Sequence, residues 1–282
     1  MLGALALAGL LQGCSVMKIA YNQSPELAYW HLDSHFDFTE AQTLQVKADL
    51  ARLQAWHRQT QLPAYIETLQ KLRQQIPADM DAGSACALYA DVRGKMIAVT
   101  NRAEPATVTL VGTLNADQLV NLERRFAKGN AEYREDFLDA TPRKRRDKRY
   151  KEAVKRAEML YGSLEPKQLA VIGHRIDTSH FSAPLSYGEK LRRQQDALQT
   201  LRPLVAGQGT PETTQAAIKG LFERTLHSPD AAYRDYMDKL TQDACASFAE
   251  LHNSTTPAQR GKAVETLLRY EQDFKILHLQ KS

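Results

Sequence analysis

Thr256-Pro257-Ala258-Gln259 packs a complete helix start into four residues. The threonine hydroxyl suits the N-cap, and proline suits the first helical position, where its missing N–H costs nothing. Glutamine three residues after the cap can reach back to the cap's own N–H and close a reciprocal capping box. The hydroxyl–proline pair recurs at Ser24-Pro25, Thr141-Pro142, Thr210-Pro211 and Ser228-Pro229. Thr39 with Gln42 repeats the box, and Asn115 with Gln118 is a looser version of it. Glu165-Pro166-Lys167-Gln168 keeps the outline without the hydroxyl.

Between these starts the apolar residues recur at helical spacing. Leu44, Val46, Leu50, Leu53 and Trp56 lead on to Leu62, Tyr65, Ile66, Leu69 and Leu72. Leu119, Leu122, Phe126, Tyr133 and Phe137 follow steps of three, four or seven, as do Val264, Leu267, Leu268, Phe274 and Leu277. Such stripes are packing seams of amphipathic helices. Only residues 107–114 look strand-like, and they read as the end of a helix and a loop. The expected fold is all-α, a single multi-helix bundle of about eight to ten helices with no significant sheet. The punctuated stretches 179–188 and 203–211 are short enough to be loops. Residues 25–282 therefore read as one helical domain, with a looser C-terminal part from about residue 183.

Composition agrees with a packed core: 43% hydrophobic and 25% charged residues are ordinary for a globular chain. The N-terminus carries a different signal. Residues 2–11 are an uncharged apolar run, long enough for a signal-peptide core and too short to span a bilayer. It ends in Leu11-Gln12-Gly13-Cys14, which resembles the lipobox of bacterial lipoproteins. That resemblance implies cleavage of residues 1–13, diacylglycerol and palmitate-type acylation at Cys14, and a tether over residues 14–24. Several acyl chains hold far more firmly than one. Ser15, by analogy with sorted lipoproteins, implies the outer membrane of a Gram-negative envelope, facing the periplasm. No Lys or Arg precedes the apolar run, so the natural start is expected further upstream. After Ser15 no apolar stretch approaches 18 residues.

Two further cysteines, Cys86 and Cys245, leave two readings open: a disulfide in an oxidising compartment, or buried free thiols. Their spacing matches neither zinc nor CxxC redox ligands.

The basic cluster is the sharpest local anomaly. Residues 141–160 carry nine Lys or Arg against three acids, +6 in a chain whose total is +4. Arg143, Lys144, Arg145, Arg146, Lys148 and Arg149 crowd the first turns, where the helix dipole opposes positive charge. Either Glu132, Glu135, Asp136 and Asp139 of the preceding helix end compensate them, or they contact anionic lipid or an acidic envelope protein. Nucleic acid is not expected, because no aromatics interleave the cluster.

Catalytic signals are sparse. His31 and His35 share a helical face and could ligate a divalent metal with Asp37, but two histidines are also ordinary packing or surface residues. His57 beside Arg58, and His174 with Asp177 and His180, could be drawn as acid–base pairs, yet no nucleophile motif, HExxH or phosphate-binding glycine loop accompanies them. No catalytic residue, metal or cofactor is assigned.

Tyr21-Asn22, Trp30-His31-Leu32-Asp33, Phe36 to Gln42, Trp56-His57-Arg58, Leu62-Pro63 with Tyr65, Asn130 to Glu135 and Thr256 to Arg260 together resemble a proteobacterial lipoprotein family of unknown function. That resemblance implies a helical fold and an anchored location, and no reaction. Phe38-Thr39-x-x-Gln42, Leu114-Asn115-x-x-Gln118 and Thr256-x-x-Gln259 also resemble the Leu-Thr-x-x-Gln motif of the small Spy-type periplasmic chaperones, which act without ATP. The function expected is a membrane-anchored, non-enzymatic binding, scaffold or chaperone-like module. The competing reading is a metal-dependent or hydrolytic enzyme using His31, His35 or His57.

Overall fold

The computed structural model describes residues 16–280; Cys14, the residues before it and Ser15 lie outside them. Every regular element among the described residues is helical. The chain runs α1 (Val16–Asn22), α2 (Ser24–Phe36), α3 (Glu40–Trp56), a π-helical turn (His57–Gln61), α4 (Leu62–Gln75) and α5 (Ala82–Val111). It continues through α6 (Ala116–Tyr133), a second π turn (Arg134–Leu138), α7 (Pro142–Tyr161) and α8 (Pro166–Asp177). The last four are α9 (Ala183–Val205), α10 (Pro211–Leu226), α11 (Ala231–Asn253) and α12 (Pro257–Leu279). The fold is all-α. Segments exceed the eight to ten expected because a single residue parts α1 from α2, and α3 reaches α4 through the π turn without leaving the helix.

Most predicted caps are present. Thr39, Asn115 and Thr256 close capping boxes with Gln42, Gln118 and Gln259, while Thr141 accepts from the Lys144 N–H at 3.2 Å. Two differ. Ser24 lies inside a helix rather than capping one, since Gln23 keeps helical angles as α1 turns into α2. Ser228 yields its place to Asp230, whose carboxylate accepts from the N–H groups of Ala232 and Tyr233. The Ser228 hydroxyl instead donates to buried Glu189 at 3.0 Å. Asp37 stops α2: its φ of 54° is the one positive value outside glycine among the described residues. The reversal it makes delivers Thr39 to the start of α3.

The four boxed glutamines meet in pairs. Gln42 and Gln118 exchange Nε2-to-Oε1 hydrogen bonds of 3.2 and 2.7 Å, and Gln168 and Gln259 do the same at 2.6 and 2.8 Å. Each also donates to the carbonyl two residues before its partner's cap: Gln42 to Thr113, Gln118 to Asp37, Gln168 to Ser254, Gln259 to Ser163. Two identical joints therefore fasten the start of α3 to that of α6, and the start of α8 to that of α12. All four side chains are buried, so the saturation of their polar atoms is what makes that burial tolerable.

The apolar core is spread along the bundle. One cluster joins Val111, Leu119, Leu122, Leu201 and Ile218; another joins Ile76, Tyr161, Ala263 and Leu267; a third joins Ala157, Ile172 and Leu251. Leu62, Ile76, Ile218 and Leu277 are fully buried, each worth about 1.5–3 kcal/mol of transfer free energy. α12 lies antiparallel along α4, with Gln70 donating to Glu271 at 2.9 Å and, toward the end of α12, His278 donating to the Arg58 carbonyl of the π turn at 2.9 Å. Cys86 on α5 is disulfide-bonded to Cys245 on α11, Cα to Cα 5.2 Å. Through this bond, and through Leu201 and Ile218 in the first apolar cluster, the stretch from residue 183 onward packs on the first half. No helix among the described residues is long and apolar enough to cross a membrane.

Candidate functional site

α7 changes character along its length. Its first turns are cationic, and from Tyr150 onward Ala153, Val154, Ala157, Leu160 and Tyr161 restore an apolar face. That face meets Val171, Ile172 and Ile176 of α8 and Leu240, Phe248 and Leu251 of α11. Where the three helices approach, several facing positions are small: Ala153, Ala157, Ala244 and Ser247. Close-packed interiors leave little void, but small side chains on three converging helices do not fill the space between them. The result is a groove of about 700 Å³, apolar along its floor. Gly162, with φ of 75°, ends α7 beyond it.

Lys148, Arg149, Arg156 and Arg175 rim this groove, against the acids Glu152 and Asp243. Asp243 already accepts from the His180 backbone N–H at 2.7 Å and meets the His180 ring at 3.0 Å. Arg175 is paired with Glu250 and Lys148 with Asp136. Arg149 differs. It is half-buried, its guanidinium carbon stands 4.4 Å over the Phe181 ring, and it donates a hydrogen bond to the Ile176 carbonyl at 3.4 Å. It forms no ion pair among the described residues. Burial pushes its pKa down, outweighing the pull of Tyr236, Asp177 and Asp243, yet a guanidinium remains charged at neutral pH. The site therefore holds a partly desolvated cation beside apolar surface.

The predicted basic patch is divided by the structure. Arg145 donates to the carbonyls of Phe137, Leu138 and Ala140, closing the end of the preceding helix. Arg146 grips Asp177 through two hydrogen bonds of 2.6 and 2.8 Å. Arg143 lies 3.9 Å from Asp147, and Lys144 is exposed. Of the acids expected to compensate, Asp136 meets Lys148, whereas Asp139 takes Arg134. Arg156 and Arg175 became part of the rim only through folding. The signal of the groove floor in sequence is faint, since small residues such as Ala153, Ala157 and Ala244 at helical spacing read as ordinary packing.

The histidines separate. His31 and His35 lie with ring centroids 4.6 Å apart and planes tilted by 54°, beside solvent on α2. His57 stands elsewhere, between the hydroxyls of Tyr21 at 3.0 Å and Tyr65 at 3.4 Å. No group of three or more His, Cys, Asp or Glu able to hold a metal occurs among the described residues. Of the acid–base set at and beyond the end of α8, Asp177 is taken by Arg146 and His180 by Asp243. The motif residues around His57 fasten α1: Arg58 donates to Asn22 at 3.1 Å and Gln54 to the Tyr21 carbonyl at 2.7 Å.

Residues 34–230 match the family model described as "Family of unknown function (DUF6279)", a span that includes α7 and α8 of the groove and stops before α11. No curated protein and no solved structure matches the chain. With more than half its length inside that match, the chain belongs to DUF6279, a family of unknown function.

Proposed function

We propose that this protein is a lipid-anchored envelope lipoprotein, acylated at Cys14 and held at the outer membrane on its periplasmic side, that works as a binding module and not as an enzyme. Its binding face is the groove between α7, α8 and α11. The observation that carries this reading is Arg149: a half-buried cation with no ion-pair partner among the described residues, set beside an apolar floor. Folding charged side chains into such a place costs free energy unless a counter-charge compensates, and a bound anionic partner would supply it. The resemblance to Spy-type chaperones suits a module that binds without ATP. The lipobox ending at Cys14 supports the anchor.

A photo-crosslinking side chain at Arg156, on the groove rim, and another at Lys219, on α10 away from it, test the binding face in intact envelopes. Adducts at position 156 and none at 219 are expected. Equal adducts at both positions would remove the groove from consideration. In the same cells a clickable fatty acid should label the native chain and not Cys14→Ser; an unlabelled native chain would refute the anchor.

A further inference from the structure

The groove also has a shape and a chemistry that select among partners. Its α7 wall runs from Lys148 to Tyr161, which at about 1.5 Å per residue makes a trough of about 20 Å. A single lipid tail occupies half of a bilayer core about 30 Å thick, or about 15 Å. The volume of about 700 Å³ falls within the range of small-molecule sites, about 300–1,000 Å³. The floor, with Ala153, Ala157, Ile172, Phe248 and Leu251, offers carbon and no unsatisfied polar atom.

An extended peptide is the less suited occupant. Peptides bound in grooves draw affinity from main-chain hydrogen bonds or from pockets spaced along their own regular structure. Here all three walls are α-helices whose backbone donors and acceptors are spent internally. An acyl chain needs no backbone partner. The cations are likewise suited to one charged head: Arg149 lies at the Phe137 and Phe181 end, while Arg156, two turns further along α7, and Arg175, paired with Glu250, can extend the apolar walls with their aliphatic stems.

We infer that the groove binds a single-chain anionic amphiphile, its carboxylate or phosphate head on Arg149 and its tail lying along the floor toward Leu160 and Leu251. This rests on the reading of the groove as the binding face and adds the class of ligand. Recognition combines charge-assisted hydrogen bonds from a guanidinium with burial of one tail. The head can be that of a free fatty acid or of a lysophospholipid, and the probes below distinguish the two.

The test uses the full-length Cys14→Ser chain, which carries no acyl groups of its own, titrated calorimetrically below micelle-forming concentrations. The probes are palmitate, a palmitoyl lysophosphatidate, neutral monopalmitoylglycerol and inorganic phosphate. Saturable 1:1 binding of palmitate or lysophosphatidate is expected, at least tenfold tighter than of the neutral analogue; the tighter of the two names the head. Arg149→Gln should weaken the anionic probes about tenfold or more and leave the neutral one unchanged. Ala157→Trp should abolish all tail-dependent binding, and Ala153→Leu should weaken it several-fold in a chain whose melting temperature is held. Absence of binding by the native groove, an anionic-to-neutral ratio that Arg149→Gln does not change, or phosphate binding as tightly as lysophosphatidate would each overturn the inference. If amphiphiles fail while the crosslink at position 156 persists on a protein, the binding face stands and this ligand class falls. If both fail, the binding-face reading falls as well.

Discussion

Gln168 at the start of α8 and Gln259 at the start of α12 hold each other carboxamide to carboxamide, Nε2 to Oε1 in both directions, at 2.6 and 2.8 Å. Each amide also accepts from its own N-cap N–H, at 2.8 Å on Glu165 and 2.9 Å on Thr256. Gln42 and Gln118 form the same arrangement at the starts of α3 and α6. A residue type that ordinarily lies at the surface is thereby turned into a buried latch that positions two helix starts at once.

The latch predicts an asymmetry between single and double substitutions. Gln259→Leu leaves the Thr256 N–H, the Ser163 carbonyl and half of the Gln168 amide without partners, at about 1–3 kcal/mol for each buried group. Allowing for partial relaxation, urea denaturation should show a loss of about 2–4 kcal/mol. The double variant Gln168→Leu with Gln259→Leu should cost less than the sum of the singles. Strict additivity would mean that the two amides do not act as one joint.

How far the sequence discloses this fold follows from the range of each interaction. A Thr-x-x-Gln or Asn-x-x-Gln box is decided within four residues, so α3, α6 and α12 are readable at their starts. The meeting of the boxes is not, because it joins positions 76 and 91 residues apart with no local mark of which pair forms. Ser228 misleads for the same reason: the carboxylate that takes its hydroxyl, Glu189, lies 39 residues back. The charge on α7 is plain in the sequence. Which cations remain available is not, since Arg146 is neutralised by Asp177 of the next helix, 31 residues on. The groove floor is the least legible feature, because alanines signal nothing until three helices converge.

The bond between Cys86 and Cys245 spans 159 residues and ties α5 to α11, the helix that carries Phe248 into the groove. Constraining so long a loop lowers unfolded-chain entropy, and bridges of this kind typically stabilise by about 2–5 kcal/mol. Cys86→Ser with Cys245→Ser should lower the urea midpoint accordingly, and reductant should destabilise the native chain and leave the double variant unaffected. A native chain indifferent to reductant would contradict a structural role for the bridge.

Acid should loosen the same region through His252. Its ring is fully buried, its Nε2–H donates to the Ala78 carbonyl at 2.8 Å, and its Nδ1 accepts from the Tyr161 hydroxyl at 2.9 Å. Burial holds its pKa below the usual 6.5, outweighing the hydrogen bond to Ala78. The native state therefore resists a proton that the unfolded chain accepts. The contribution of His252 to stability is level above pH of about 6.5 and falls as pH drops below it. His57, whose pKa burial also lowers, adds to the same slope. His252→Gln should reduce stability at pH 8 by about 1–3 kcal/mol through its lost hydrogen bonds and make the decline between about pH 6.5 and 5 shallower. An unchanged slope in that variant would assign the acid sensitivity to other groups.

α1 is the described helix nearest the proposed anchor. Its described residues, Val16–Asn22, run through helical Gln23 into α2, and most helical stability in a protein comes from packing against the rest of the fold. Its order must come from its neighbours: the Tyr21 hydroxyl on His57, Asn22 on Arg58, the Tyr21 carbonyl on Gln54, and Lys18 within 3.6 Å of Asp273 on α12. Three of these contacts converge on the end of α3 and the π turn, an irregularity that tends to be retained for what it positions. His57→Phe keeps a ring and removes both tyrosine hydrogen bonds, while Arg58→Met keeps the apolar stem and removes the guanidinium. Together they should leave the α4–α12 pairing intact and release α1. Hydrogen exchange of residues 17–22 should then rise about tenfold or more while α4 and α12 stay protected, because local opening draws on few contacts and global unfolding on many. Equal loss of protection in α1 and α12 would instead make His57 and Arg58 part of the core, with no separate part in holding α1 to the body.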